Sequence, residues 1–251
     1  MKDQLTLETE KALLDNYAAN YITSDDSSQQ RLMRHLEIRV FSQYMNRGHA
    51  LELGCEIGYM SELLSPLVDQ LDIVDASELF IKKTKARSIP NSRYFCSLFE
   101  EFQADCAYNS VFASHVLEHL IDVQQVLKMV RRSLAPKGLL FVAVPNARAL
   151  SRQLARQMGL LDSLYDLTPN DLRGGHRRVY DQVTLRRELE LAGFHIVVQG
   201  GIFFKPFADF QMDRLIDTKI LGEPQLEGLY NLGYEYPEMC ADVYAVARVK
   251  E

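Results

Sequence analysis

The chain holds 251 residues, 47% hydrophobic and 25% charged, with a formal net charge of −6. That is an ordinary globular mixture, which excludes a disordered, collagenous or disulfide-scaffold chain, and the length suits one α/β unit better than two full domains. The acidic balance argues against a nucleic-acid partner, since a reader of DNA or RNA needs a basic footprint to displace counterions from phosphate.

Residues 1–46 read as a helical cap, with Leu13, Leu14, Tyr17 and Tyr21 and then Leu32, His35, Leu36, Val40 and Tyr44 at helical offsets, interrupted by a polar run at 23–30. From residue 47 onward short apolar runs alternate with helical patterns. The runs 50–53, 71–74, 92–96, 110–114, 139–144, 194–199 and 241–249 read as seven strands. A helix carrying Met60, Leu63, Leu64 and Leu67 follows the first, with Pro66 set to kink or shorten it. Val123, Val126, Leu127, Val130 and Leu134 share a face, with Pro136 and Gly138 as stop signals. Leu185, Leu189 and Ala192 share another, closed by Gly193. This alternation implies a doubly wound, mostly parallel sheet with ligands at the carboxyl ends of its strands. The rhythm breaks between residues 199 and 241, an irregular stretch with Pro206, Pro224 and Pro237, so the last strand is expected to enter antiparallel. Long connections at 147–180 and 201–238 are expected to be lids.

Cys55, Cys96, Cys106 and Cys240 form no CxxC pair and have no histidine at zinc-finger spacing, so no metal site or disulfide framework is expected and a cytoplasmic location fits. The first residues lack the apolar core of a signal peptide, and the longest apolar run, 138–144, is too short for a bilayer. No membrane partner is expected.

The chemistry concentrates at the turn after the first strand. Leu51-Glu52-Leu53-Gly54-Cys55-Glu56-Ile57-Gly58 places glycines where a backbone must approach a ligand. Asp75 ends the second strand, 23 residues beyond Glu52, near the spacing at which a carboxylate reaches the ribose hydroxyls of a nucleoside. Glu52 and Glu56 would repel the phosphates of a dinucleotide but tolerate a cationic sulfonium ligand.

With these residues in place, the chain resembles the class I S-adenosylmethionine-dependent methyltransferases. The resemblance rests on Leu-Glu-Leu-Gly-Cys-x-x-Gly at 51–58, Val74-Asp75-Ala76-Ser77, Ser114-His115-Val116-Leu117-Glu118-His119-Leu120, Val144-Pro145-Asn146 and Ala192-Gly193-Phe194. It covers about residues 48–200, and its Leu-Glu-His element points to the small-molecule group that includes quinone O-methylating enzymes. Glu56 departs from the pattern, which has glycine there. The resemblance implies a seven-stranded Rossmann-like methyltransferase sheet, with S-adenosylmethionine as cofactor. It further implies that Glu52, Gly54, Cys55 and Gly58 surround the methionine end of the cofactor, that Asp75 holds the ribose, and that Ala76 lies near the adenosine. Ser97 and Leu98 then flank the adenine, while Ser114 and His115 face the methyl group.

A hydroxyl acceptor must lose a proton, and histidine is the usual base at neutral pH. His115, His176 and Tyr180, four residues beyond His176, are the candidate catalytic groups, with His119 as an orienting residue. Tyr17 and Tyr21 are candidates to close over the ligands, as are Arg177 and its neighbours Arg173 and Arg178 to meet an anionic acceptor. Arg34 or Arg39 is placed to meet the cofactor's carboxylate. The expected function is methyl transfer to an oxygen, or less favourably a nitrogen, of a small molecule. The alternatives are attack on the methylene beside sulfur with release of methylthioadenosine, a non-catalytic binding protein and, least favoured, an NAD-dependent oxidoreductase.

Overall fold

The computed structural model describes Leu14 and residues 24–250. Seven strands form one sheet: β1 (His49–Leu53), β2 (Gln70–Asp75), β3 (Ser92–Cys96), β4 (Tyr108–Ser114), β5 (Leu134–Pro145), β6 (Phe194–Ile202) and β7 (Asp242–Val249). Their order is β3-β2-β1-β4-β5-β7-β6. The first five are parallel, so the carboxyl ends of β1, β2 and β4 share one edge. β7 runs antiparallel to both neighbours, as expected, and it enters between β5 and β6.

Period-two alternation sends side chains to opposite faces. Leu51, Leu53, Leu140 and Val142 pack on one side with Val126 and Val130, and Ala50, Phe112, Phe141 and Ala143 pack on the other with Phe41. Phe112 and Phe141 stack with ring centroids 4.8 Å apart. Fully burying each such side chain contributes about 1.5–3 kcal/mol.

Helix α1 (Ser28–Phe41) lies on the second face through Met33, Leu36 and Val40. The polar run at its start is part of the helix signal, because Ser27 caps the first turn by accepting from Gln30 N at 3.1 Å. Helix α2 (Tyr59–Leu64) passes into one 3-10 turn containing Pro66, and α3 (Glu78–Ala86) is capped by Ser77. Helix α4 (Val123–Ser133) buries the predicted stripe, except that Leu134 has already left the helix to begin β5.

The connection 147–180 holds two short helices, α5 (Leu150–Gln157) and α6 (Pro169–Arg173), and α7 (Gln182–Leu191) follows. The stretch read as irregular contains α8 (Asp209–Asp217) and α9 (Glu223–Glu235). Its prolines mark boundaries: Pro224 sits in the first turn of α9, where a missing N–H costs nothing, and Pro237 follows the helix end. No helix among the described residues is long and apolar enough to cross a membrane.

Candidate functional site

The turn after β1 is built on left-handed backbone. Gly54 and Gly58 take φ of 76° and 87°, and Glu56 takes 50°. Glu56 thus accepts at some strain the conformation a glycine would adopt freely. A Cβ on Gly58 would lie 2.7 Å from Thr84 Cγ2, so this glycine lets the turn pack on α3 rather than lining the cleft.

Asp75 ties the two strand ends together. Cys55 N donates to its Oδ2 at 2.9 Å and Ser77 N to its Oδ1 at 2.8 Å. Burial nonetheless pushes this carboxyl up to about 6. Glu52 is buried more severely. Ser61 Oγ donates to its Oε2 at 2.5 Å, its Oε1 is buried with no hydrogen-bond partner, and burial pushes it up to about 8.

Both carboxyls face a cleft of about 1200 Å³, counting its open mouth, at the carboxyl edge of the sheet. Gly54, Cys55 and Glu56 line it from the first turn, and Ala76 and Leu98 from the next two; Ser114 and His115 line it from β4. The Cys55 thiol is buried and accepts from Thr84 Oγ1 at 3.3 Å. Ser97 does not line the cleft; its hydroxyl donates to Leu98 O at 2.9 Å and its N–H to Asp75 O at 3.0 Å. Phe80, Phe99 and Ile121 are liners that sequence reasoning missed, because isolated apolar residues in loops or on short helices carry no periodic signal. Glu100, Arg34 and His119 line it too.

His115 holds a φ of 55°. Its Nε2 lies 3.1 Å from Glu37 Oε1 of α1 and 3.2 Å from Asp242 Oδ2 of β7, and its Nδ1 lies 3.5 Å from Glu118 Oε1. Burial and Arg34 work to lower the pKa of this imidazole, but Asp242 and Glu37 outweigh them and hold it well above the usual histidine range. Glu37 is fully buried, which alone would raise it; Arg34, 2.5 Å from its Oε1, and His115 bring it down to about 2. Charges therefore alternate from Arg34 through Glu37 and His115 to Asp242.

His119 behaves oppositely. Burial pushes it down to about 4 despite Glu118, leaving a neutral imidazole at the cleft wall. His176 stands behind it, the two rings meeting edge to face at 4.8 Å, and its Nδ1 lies 3.3 Å from Asp171 Oδ1. His176 itself does not line the cleft, although Gly174 beside it does. Arg177 donates from Nε to His119 O at 2.8 Å, and Arg178 Nη1 to Leu117 O at 2.9 Å and Leu120 O at 2.6 Å, so this pair braces the loop after β4. Arg177 is not a cleft residue. Tyr180 is a correction to the sequence reading: it is 3% exposed, packs in the core, and its hydroxyl has no partner and does not reach the cleft. Tyr17 and Tyr21 lie outside the described residues. Cysteine spacing suggested no metal, yet the fold gathers ligand atoms of Glu118, His119 and His176, and of Glu37, His115 and Asp242, within 4.8 Å of one another.

Residues 26–199 match the family model described as a methyltransferase domain. Ubiquinone biosynthesis O-methyltransferase of Bradyrhizobium diazoefficiens is 30% identical over 164 residues, 63% of each chain, so the chain spans less than two thirds of the length of that relative. Among solved structures, the N-methyltransferase NodS from Bradyrhizobium japonicum with S-adenosyl-L-homocysteine superposes with a TM-score of 0.61 at 16% identity, covering 96% of this chain and 99% of that one. The [4+2]-cyclase SpnF gives a TM-score of 0.58 at 15% identity, covering 88% and 81%. These two likenesses establish the fold, and the match of the family model across most of the seven-stranded sheet establishes the kinship: the chain belongs to the methyltransferase domain family.

Proposed function

We propose that the chain is an S-adenosylmethionine-dependent transferase that moves a methyl group to an oxygen, or less favourably a nitrogen, of a small-molecule acceptor in the cytoplasm. The observation that carries this reading is the pair of buried carboxyls, Glu52 and Asp75, on either side of the glycine turn, with Glu52 Oε1 buried and lacking a donor. A cation with N–H donors satisfies that oxygen, whereas a phosphate is repelled. The residues present fit the cofactor. Glu52 would take its ammonium group, Asp75 its ribose hydroxyls and Arg34 its carboxylate, while Phe80, Leu98 and Phe99 would enclose the adenine and Ser114 and His115 would face the reacting end.

The cofactor supplies a methyl group already activated by positive sulfur, so the protein's task is mainly to hold the acceptor in line and exclude water. His115, kept protonated by two carboxylates, holds α1 and β7 to the site rather than accepting a proton. His119 is neutral and faces the cleft, where its imidazole can accept a hydrogen bond from an acceptor hydroxyl and orient it. His176 sets the ring orientation of His119 from behind. The ubiquinone-pathway relative supports oxygen as the acceptor atom.

Product analysis tests the reading. Incubation of the protein with S-adenosylmethionine and candidate phenolic acceptors should give S-adenosylhomocysteine and a methyl ether. Methylthioadenosine without S-adenosylhomocysteine would replace methyl transfer by attack on the methylene, and no saturable cofactor binding would leave a non-catalytic protein.

A further inference from the structure

The glycine turn that lines the cleft is held from behind. Arg87, the residue that closes α3, does not itself line the cleft. Its Nε donates to Ile57 O inside the turn at 2.5 Å. Earlier on the same helix, Thr84 Oγ1 lies 3.3 Å from Cys55 Sγ and 3.5 Å from Glu56 O. Positions 84 and 87 share a face, so α3 presents two donors side by side to consecutive residues of the turn. Gly58 makes this approach possible, because a Cβ there would meet Arg87 Cδ at 3.1 Å as well as Thr84. The grip matters because of Glu56, whose φ of 50° is one that a residue with a side chain resists. Such a conformation persists only where the surroundings over-determine it, and the donors on Glu56 O and Ile57 O supply that constraint.

The other nitrogens of the same guanidinium reach a different wall. Nη2 donates to both carboxylate oxygens of Asp25, at 2.7 and 2.6 Å, and Nη1 to Glu62 Oε2 of α2 at 2.7 Å. Asp25 belongs to the single 3-10 turn, Ser24–Asp26, that leads into α1, and Arg31 of α1 donates to its carbonyl at 2.8 Å. Helix α1 in turn sends Arg34 to the cleft. A second link joins the same parts: His35 Nε2 of α1 lies 3.0 Å from the hydroxyl of Tyr59, the residue that follows Gly58.

We propose that Arg87 is a positioning residue that joins the glycine turn and α1 into one preformed unit, so that a side chain outside the cleft sets the affinity for the cofactor inside it. It touches no ligand atom and acts through the Ile57 carbonyl on one side and Asp25 on the other. A preformed turn removes the ordering cost that binding would otherwise carry. The inference rests on the reading of the cleft as a cofactor site, but the joined unit is measurable in the ligand-free protein.

Calorimetry with S-adenosylhomocysteine and amide hydrogen exchange of the ligand-free protein test the proposal together. Arg87→Gln should weaken binding about tenfold or more, as expected for the loss of charge-assisted hydrogen bonds. It should also speed exchange in residues 54–58 and in the first turn of α1 alike, while β4 and β5 keep the wild-type rate, which separates local positioning from general destabilisation. Asp25→Asn should weaken binding about two- to fivefold, and added to Arg87→Gln it should cost nothing further, since both act through one contact. Arg87→Lys keeps the charge but loses the forked donors, so it should fall between the two and carries the test if Arg87→Gln does not fold. Wild-type affinity in the Arg87 variants, faster exchange in the turn without any in α1, or additive losses in the double variant would each overturn the proposal. If exchange responds as stated but wild type binds no S-adenosylhomocysteine, the joined unit stands and the cofactor reading falls.

Discussion

Binding of a cationic ligand beside Glu52 is expected to expel a proton. In the unliganded protein burial holds Glu52 at about 8 and Asp75 at about 6. At pH 7, Glu52 is then about nine-tenths protonated and Asp75 about one-tenth, so the two carboxyls together hold about one proton. A ligand ammonium placed against Glu52 Oε1 favours the carboxylate and lowers both groups. Proton release of up to about one per ligand is therefore expected at pH 7, and affinity should rise by up to about tenfold per pH unit between pH 6 and 7.5. Calorimetry in phosphate and in Tris, whose ionisation enthalpies differ, measures the release directly. Glu52→Gln, which keeps the shape but cannot ionise, should lose most of it. An apparent enthalpy identical in both buffers for wild type would refute the argument, and with it the placement of a cation at Glu52.

Asp75→Ala should weaken cofactor binding by about 10–100-fold, as expected for hydrogen bonds to a charged group; unchanged affinity by titration would rule out the ribose assignment. His119→Ala should lower turnover of a hydroxyl acceptor by about 10–100-fold through loss of an orienting hydrogen bond, and a normal kcat would exclude that contact. Glu37, held at about 2 against 4.5 for an ordinary glutamate, stabilises the fold above pH 4.5 and loses that contribution, about 3 kcal/mol, as pH falls toward 2. Urea unfolding at pH 5 and pH 3 should show the loss in wild type and little of it in Glu37→Gln, which will already be weaker at neutral pH for want of a counter-charge to Arg34 and His115. Gly58→Ala should lower the melting temperature by several degrees, because it combines a left-handed φ with the contact to Thr84; an unchanged value would show that the turn can shift without cost.

The seven strands were legible because each is a short apolar run bounded by turn residues, and the glycine turn after β1 because left-handed backbone favours glycine at fixed positions. The lids were not. Helices α8 and α9 bury only Met212, Tyr230 and Gly233, so neither presents a continuous apolar stripe. The carboxylates around His115 were invisible for a different reason: Glu37 and Asp242 arrive from the start and the end of the fold, and no local pattern announces a contact over that separation. Tyr180 was paired with His176 on a four-residue spacing that brings side chains together only in a helix. The segment is extended, with Tyr180 bridged to Asn146 beside β5, and that geometry carries the ring into the core.

The position of β7 sets an order of assembly. β6 precedes β7 in the chain, yet among the described residues its only strand partner is β7, which in turn pairs with β5. During synthesis β6 therefore has no place in the sheet until β7 has emerged, while β1 through β5, with the glycine turn and Asp75, already have all their parallel partners. Asp242, the first residue of β7, reaches His115 at that same late step. The ribosome thus delivers the glycine turn and Asp75 first, and the Asp242 contact to His115 closes only when the sheet itself is complete.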